Sequence, residues 1–255
     1  NANRKAEKLN NHGSVGVGFG KTIERQQNNY TLYYRDLLTP AVFKHKLDAI
    51  KKYYELVHVS NEDVEYFEHA VKEIRKYSSP FNYRFLYTYD TIIFEGSQGV
   101  LLDKDYGFFP HVTHGKTTSE NALNIIRNYL PKVEFIEKHY VSRAYQTRHG
   151  NGPMTNEDLK THIINTDSET NKKNEYQGRF KKSVLDLNLL DHSLGIEYDK
   201  LEGINKHNSK YIKVRSTMHI TCLDQTQGLL TYTHYDNYYL DGTSEDSLFY
   251  EILAI

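Results

Sequence analysis

The spacing of hydrophobic and polar positions predicts two long helices in the first third of the chain. Apolar side chains recur three and four residues apart across residues 40–77, which is the spacing of one helix face. The repeat is interrupted at residues 60–63, where Asn61 is a candidate N-cap for the second helix. We expect the apolar stripe to form a core, and its members are Val42, Phe43, Leu47, Ile50, Tyr54, Val57, Val64, Phe67, Val71 and Ile74.

Later segments predict strands alternating with helices. Residues 89–96 (YDTIIFEG) form a compact β run that ends in glycine, and residues 120–130 predict a helix that Ser119 opens and Pro131 ends. Residues 133–153 have extended character, residues 182–196 (KSVLDLNLLDHSLGI) predict an amphipathic helix, residues 211–235 predict strands, and residues 243–255 predict a helix or edge segment. A strand followed by a glycine-rich turn and a helix indicates an α/β fold.

Length and composition favour one globular domain, residues 1–255. Residues 155–177 lack periodicity and are rich in charged and amide side chains, which predicts either a polar, mobile insertion or a charged helix. Hydrophobic residues make up 38% of the chain without a run long enough to cross a bilayer, so we expect no membrane role. The 32 Lys and Arg residues nearly balance the 33 Asp and Glu residues, which argues against general nucleic-acid affinity. Cys222 is the only cysteine, which excludes an internal disulfide and fits a reducing cytoplasm.

The segment FEGSQGVLLDKDYGFFPHVT, residues 94–113, carries the candidate chemistry. Gln98 lies between glycines at the end of a predicted strand, where ligands of open α/β sheets bind. Asp103 and Asp105 could bind a cation, although such a pair is more often structural. The Thr113 hydroxyl could receive a phosphate or could bond its own backbone. Residues 12–22 (HGSVGVGFGKT) are either a surface loop or a nest of backbone N–H groups for an anion.

Residues 94–113 closely resemble the signature of the adenylosuccinate synthetase family: Glu-Gly-small-Gln-Gly, then Leu-Leu-Asp-x-Asp-x-Gly, an aromatic residue, Pro and Val-Thr. Weaker likenesses follow in the family's order at HGSVGVGFG, AYQTRHGNGPMTNE, GRFKK and ITCLD. The resemblance implies a central, mostly parallel sheet flanked by helices in a P-loop-type α/β architecture, here truncated at its N-terminal side. It spans most of residues 12–228.

The resemblance also implies a reaction and an acceptor site. The family joins aspartate to IMP with GTP and Mg²⁺, first phosphorylating the purine 6-oxygen and then displacing phosphate with the amino group. Gln98 and Gly99 would contact the purine nucleotide, and Ser14, Gly16 and Thr113 would help to hold its phosphate. The implied IMP-binding residues are Ser14, Gly16, Gln98, Gly99, Thr113 and Arg179.

The aspartate and guanine sites follow from the same resemblance. Arg179 would bridge the nucleotide and the aspartate carboxylate, and Lys181 would add charge beside it. Asp224, two residues after Cys222 in ITCLD, would accept hydrogen bonds from the guanine base of GTP, and Cys222 would lie at the same base-binding site. The resemblance further implies a homodimer in AMP biosynthesis. The family takes an Arg from the neighbouring subunit, but Arg25 and Arg35 do not lie at the family's spacing, so neither is assigned that role.

Several positions depart from the family pattern. Val15 and Val17 replace a Thr and an Arg in the glycine loop, Lys181 and Lys182 replace arginines, and Cys222 replaces a Lys. The family's Gly-Asp-Glu-Gly-Lys-Gly loop, which holds the general base, and its Asn-Ala-Gly-His segment, which holds the acid, are not among these residues. No catalytic residue is therefore assigned, and with Asn as the first residue we expect the catalytic segment upstream in a longer protein.

Three functions fit these observations. The chain is the major C-terminal part of an adenylosuccinate-synthetase-like ligase, a purine-nucleotide-binding paralogue without catalysis, or a ligase with a different acceptor or donor nucleotide. The altered glycine loop and Cys222 favour the second and third alternatives. An intact phosphate loop in the upstream coding sequence would favour the first.

Overall fold

A computed structural model describes residues 16–54, 60–80, 82–159, 163–164, 179–205, 211–226, 229–235 and 237–242. The described residues form two compact units, residues 16–90 and the residues from 91 onward. The sequence-based expectation of a single domain stays a prediction. In the part of the chain that the structure describes, no helix is both long enough and apolar enough to cross a membrane.

The first unit is helical. Its elements are α1 (Phe19–Gln27), α2 (Tyr34–Leu37), α3 (Pro40–Tyr53), α4 (Asn61–Tyr77) and a 3₁₀ helix at Tyr83–Thr88. The two long helices predicted from the apolar repeat are confirmed as α3 and α4. Helix α1 begins inside the glycine-rich segment, directly after Gly18, which has a φ of 95° that favours glycine.

The core of this unit is narrower than the predicted apolar stripe. Phe43, Leu47 and Val71 are buried, and Leu32, Leu37 and Val64 pack against them. By contrast, Val42, Phe67 and Ile74 are between 38% and 39% exposed, so these three lie at the margin of the stripe. Val57 lies outside the described residues.

The N-cap of α4 differs from the prediction by one position. Ser60, not Asn61, precedes the first helical residue, and the Ser60 hydroxyl accepts a hydrogen bond from the Asp63 N–H at 3.1 Å. A serine in extended conformation three residues before an acidic residue is an effective N-cap, because its oxygen satisfies an N–H group without a partner in the first turn. Asn61 is therefore the first residue of the helix.

The second unit combines strands and helices. Its elements are a 3₁₀ helix at Val100–Leu102, α5 (Glu120–Tyr129), β1 (Phe135–Arg143), β2 (Tyr145–His149), β3 (Phe180–Asp186), α6 (Leu187–Asn205), β4 (Lys213–Thr221), a 3₁₀ helix at Leu223–Thr226, β5 (Leu229–His234) and β6 (Asn237–Gly242). Strands β1 and β4 form a parallel pair over their full lengths. A second sheet has the order β2-β3-β5-β6, with β3 and β5 parallel and the outer pairs antiparallel.

These elements confirm the predicted α/β fold with parallel strand pairs and flanking helices. A core cluster of Ala144, Leu185, Leu187 and Tyr232 lies where β3, α6 and β5 meet. The helix predicted after Ser119, the strands predicted within residues 133–153 and those within residues 211–235 are also confirmed. Residues 243–255 and most of the predicted insertion lie outside the described residues.

The predicted strand at residues 89–96 is wrong. This segment is irregular, and Ile93 is 88% exposed. A β-strand is held by hydrogen bonds to a neighbouring strand, and no strand among the described residues pairs with this segment. The high β propensity of these residues therefore does not produce a strand here.

The helix predicted over residues 182–196 is correct only from Leu187 onward. Residues 183–186 are consecutively buried in β3, which lies between β2 and β5. Continuous burial is typical of an inner strand covered on both faces, and the apolar run alone does not distinguish it from a helix. Helix α6 begins after Asp186, whose carboxylate accepts from the N–H groups of Asn188 (3.0 Å) and Leu189 (3.3 Å).

Candidate functional site

The loop that follows Gln98 folds around the side chain of Asp103. This carboxylate is fully buried, with Oδ1 accepting from the Asp105 N–H (2.8 Å) and Oδ2 from the N–H groups of Thr117 (2.6 Å) and Thr118 (3.3 Å). The Thr117 hydroxyl donates to the Gly99 carbonyl at 2.8 Å. Residues 99–118 are thus closed into a loop by one carboxylate and its backbone donors.

Ionisation of Asp103 is favoured by this arrangement. Burial alone would raise the pKa of Asp103, but the N–H groups of Asp105, Thr117 and Thr118 outweigh burial and lower that pKa. A carboxylate whose oxygens are engaged by backbone donors does not fit a metal ligand, and the neighbouring Asp105 instead pairs with Lys104 at 2.8 Å. No group of three or more metal-ligating side chains is found within the described residues.

A glycine is required where this loop turns back. A Cβ atom on Gly107 would lie 2.5 Å from the Leu101 carbonyl oxygen and 2.7 Å from that of Asp103. The Gly107 N–H also donates to the Asp103 carbonyl at 2.8 Å. Because both obstructing atoms belong to the backbone, a larger residue at this position would force the loop apart.

Gln98 and Thr113 present polar groups from this loop. Gln98 is exposed with a φ of 64°, a left-handed conformation that is uncommon for a residue with a Cβ atom. The Thr113 N–H donates to the Leu102 carbonyl at 2.8 Å, whereas neither its hydroxyl nor the Gln98 amide makes a hydrogen bond inside the described ranges. Both side chains are therefore available to a ligand. Gly99, beside Gln98, is likewise exposed.

Of the two phosphate-site residues predicted in the glycine loop, one is described. Gly16 belongs to the first unit and is buried, with a φ of 75° that only glycine adopts readily. Ser14 lies outside the described residues. The glycine-rich sequence is thus used for left-handed backbone at Gly16 and Gly18.

The two predicted aspartate-site residues lie at the start of β3. Arg179 is exposed immediately before the strand. Lys181 lies directly opposite Arg148 in the antiparallel pairing of β2 with β3. The Lys181 ammonium forms an ion pair with the carboxylate of Glu157. Lys181 therefore already has a carboxylate partner within the chain.

The predicted guanine-site residues follow the end of β4. Cys222 has a φ of 64° and separates the strand from the 3₁₀ helix that contains Asp224. Asp224 is exposed and makes no hydrogen bond to another described residue. The adjacent Gln225 is buried and accepts a hydrogen bond from the Tyr145 hydroxyl at 2.6 Å, which ties this turn to β2. The tie leaves the Asp224 carboxylate free to face a ligand.

A buried polar network was not predicted from the sequence. The Lys138 ammonium on β1 contacts the carboxylate of Glu197 on α6 and donates to the Ser119 hydroxyl at 2.9 Å. The Ser119 hydroxyl donates to the same carboxylate at 2.6 Å. Burial lowers the pKa of Lys138, although Glu197 opposes that shift, and burial together with the Glu197 charge raises the pKa of Tyr140 to about 12. Because Ser119 and Glu197 are far apart in sequence, local patterns carry no signal for this contact.

Arg148 on β2 is a second residue that sequence reasoning did not single out. Its Nη2 donates to the His111 carbonyl at 3.1 Å, two residues before Thr113. Its position in TRHGNGP, a segment with weak family likeness, was the available signal. The structure thus brings β2 against the loop that carries Thr113. Between this loop and Asp224 or Cys222, no hydrogen bond or ion pair joins described residues.

Comparisons with known proteins identify a family that matches this chain. A family model described as Adenylosuccinate synthetase matches residues 1–243. Curated proteins named adenylosuccinate synthetase from Helicobacter acinonychis and Thermoplasma volcanium are 32% and 31% identical over 165 and 172 residues, which cover 60% and 62% of this chain and 39% of each relative. The chain thus spans about two fifths of the length of the curated relatives it matches.

A solved structure shows the same fold. It is described as fully ligated adenylosuccinate synthetase from Plasmodium falciparum and aligns with a TM-score of 0.57 over 94% of this chain and 57% of that chain. Sequence identity in this alignment is 16%, so the likeness concerns the fold alone.

Proposed function

This chain belongs to the adenylosuccinate synthetase family, and on that premise we propose that it forms the nucleotide- and aspartate-binding part of a purine-nucleotide ligase. The ligase joins aspartate to IMP with hydrolysis of GTP, in AMP biosynthesis. The observation that carries this proposal is the loop closed around Asp103, which leaves the Gln98 amide and the Thr113 hydroxyl without partners in the described part of the chain.

In this proposal IMP binds at that loop. The Gln98 amide both donates and accepts hydrogen bonds, as recognition of a 6-oxo purine edge requires. Gly99 allows the base to approach the backbone, and the Thr113 hydroxyl donates to the nucleotide phosphate. Because residues 99–118 are closed by Asp103, Gly99 and Thr113 are ordered before the nucleotide binds, which lowers the entropy lost on binding.

The aspartate and GTP subsites involve the residues around β3 and β4. The exposed guanidinium of Arg179 binds the aspartate carboxylate in a bidentate manner and contacts IMP. Lys181 adds positive charge there when Glu157 releases it, and the Asp224 carboxylate accepts from the guanine N1–H and amino group. Cys222 lies beside that base. These groups bind and orient substrates, and we assign no general base, general acid or magnesium ligand among them.

Catalysis in this proposal belongs to the complete ligase, which acts as a cytoplasmic homodimer. The two segments that hold the family's base and acid are not among these 255 residues. We therefore expect this chain by itself to bind purine nucleotides without turning them over. Mg²⁺ and GTP enter the proposal through the family and not through a described site.

Calorimetric titration of the chain with IMP, GMP, AMP, GTP and ATP tests the proposal. We expect IMP to bind and Gln98→Ala to weaken IMP while leaving GTP binding unchanged. Asp224→Ala should weaken GTP and leave IMP unchanged. A folded sample that binds none of the five nucleotides contradicts the proposal, and a preference for GMP or ATP would show an altered acceptor or donor.

A second candidate function is a purine-nucleotide-binding protein without catalysis. Two observations favour it: Val17, at the family's Arg position, is 76% exposed, and Lys181 is paired with Glu157 rather than open to a substrate carboxylate. The upstream coding sequence distinguishes the candidates. An intact Gly-Asp-Glu-Gly-Lys-Gly loop there supports the ligase, whereas a native start codon near Asn1 supports the binding protein.

A further inference from the structure

Arg148 has an unusual electrostatic position among the described residues. It lies on β2, close to the end of the strand, and its Nη2 donates to the His111 carbonyl at 3.1 Å. The Nε atom is buried and has no hydrogen-bond partner, and the Nδ1 atom of His111 is buried without a partner as well. Two buried polar atoms without partners thus belong to the two residues that join β2 to the Thr113 loop.

No carboxylate of the described residues balances the Arg148 charge. The residue directly opposite on β3 is Lys181, so the cross-strand neighbour is a second cation. The nearby carboxylate of Glu157 pairs with Lys181, and the Asp103 carboxylate is engaged by three backbone N–H groups. Burial lowers the pKa of Arg148, with no ion pair opposing the shift. Arginine nevertheless remains protonated in proteins, so the site carries positive charge.

The loop after β2 packs closely against the Arg148 guanidinium. A Cβ atom on Gly152 would lie 1.9 Å from Nη2 and 2.4 Å from Nε of Arg148. Glycine at this position therefore allows the loop after β2 to lie directly against the guanidinium. A side chain there would displace the guanidinium at little cost to the fold, because the far end of an arginine is flexible.

We propose that Arg148 binds an oxyanion, the phosphate of the purine nucleotide, at the end of β2 beside Thr113. The guanidinium supplies a planar set of donors, one of which already holds the His111 carbonyl while the buried Nε lacks a partner. An oxyanion accepting from this fork would satisfy the buried donor and balance the charge. Thr113, two residues from His111, would donate to the same group.

This inference rests on the proposed function for the identity of the ligand, but the oxyanion site can be tested separately. Inorganic phosphate is the first probe, since it carries the oxyanion without the base. IMP and inosine form the second pair of probes, because they differ only in the phosphate. Free aspartate separates a carboxylate from a phosphate as the source of the oxyanion.

Four variants of the 255-residue chain, each checked for folding by circular dichroism, carry the test. Arg148→Met removes the charge, and Arg148→Lys keeps the charge but loses the planar donors. Gly152→Ala displaces the guanidinium while retaining it. Arg127→Met is the matched control, because it removes an exposed Arg from α5.

We expect phosphate, compared with chloride at equal ionic strength, to raise the unfolding temperature of the wild-type chain and of Arg127→Met. The increase should be absent in Arg148→Met and Gly152→Ala and reduced in Arg148→Lys. In calorimetry, Arg148→Met should raise the Kd for IMP at least about tenfold, as expected for a lost charge-assisted contact, and leave inosine binding unchanged.

The outcomes separate this inference from the proposed function. Phosphate stabilisation that depends on Arg148, without IMP binding, supports the oxyanion site and contradicts the proposed function. Equal IMP binding by the wild-type chain and Arg148→Met overturns the inference and leaves the proposed function intact. Equal weakening of IMP and inosine overturns it too, because Arg148 would then only position the His111 loop. If Arg148→Met does not fold, the other two variants decide: the inference is overturned if phosphate stabilises Gly152→Ala and Arg148→Lys as much as it stabilises the wild-type chain. Stabilisation by aspartate but not by phosphate overturns the inference as well.

Discussion

Replacing Asp103 by Asn tests whether one carboxylate holds the candidate nucleotide loop. The side chain keeps its size, so packing in this fully buried position is preserved. One carboxylate oxygen becomes an NH₂ group, which cannot accept from a backbone N–H. In the better of its two orientations, the oxygen of the new amide still accepts from the N–H groups of Thr117 and Thr118. Its NH₂ group then faces the Asp105 N–H, and because both groups are donors, that hydrogen bond is lost.

The expected loss follows from this geometry. Hydrogen bonds to a charged group contribute about 1.5–3 kcal/mol each, compared with about 0.5–1.5 kcal/mol for neutral pairs. Losing the bond to Asp105 and weakening the two others therefore lowers the free energy of unfolding by about 3 kcal/mol. That is a large part of the ~5–15 kcal/mol that stabilises a typical protein.

Urea denaturation at neutral pH, with IMP calorimetry on the same samples, measures the effect. Asp105→Asn is the matched control, because that exposed carboxylate pairs with Lys104 at the surface and should change stability by less than about 0.5 kcal/mol. The pKa of Asp103 is lowered in the folded chain, so its stabilisation is complete above the unfolded value of about 3.9 and is lost as pH falls through the folded value. The difference between wild type and Asp103→Asn should therefore shrink below about pH 4. Equal stability of both chains at pH 7 would refute the reasoning.

Three further predictions concern the loop turn, the buried ion pair and a helix cap. Gly107→Ala should lower stability by about 1–3 kcal/mol in urea denaturation, since the new Cβ meets backbone oxygens, and an unchanged midpoint would contradict this. Lys138→Met and Glu197→Leu should each lower the free energy of unfolding in urea by about 3–5 kcal/mol, and the double variant should lose less than the sum of the two. Additive losses would show that the two side chains are not coupled. Ser60→Ala should lower the free energy of unfolding by about 1 kcal/mol, and Asn61→Ala should lower it by less than about 0.5 kcal/mol. A larger loss for Asn61→Ala would show that Asn61 is the N-cap.

Local patterns predicted the helices well and one strand badly. Helices α3, α4 and α5 form where apolar residues recur at helical spacing, because a helix satisfies its own backbone hydrogen bonds. A strand depends on a partner from elsewhere in the chain, so the β run TIIF forms no strand among the described residues. For the same reason, local periodicity predicts a helix for the apolar run before Leu187, although this run is the inner strand β3.

The sequence by itself determined the family, the elements with strong local periodicity and the residue types available for nucleotide recognition, since each of these is encoded in contiguous residues. Only the tertiary structure decided how the polar side chains are used. It engages Asp103 with N–H groups up to fifteen positions away, pairs Lys181 with Glu157 and gives Arg148 no carboxylate from the described part of the chain. These outcomes depend on which residues distant in sequence become neighbours, and in a buried site the neighbours decide whether a charge is balanced or must find a ligand.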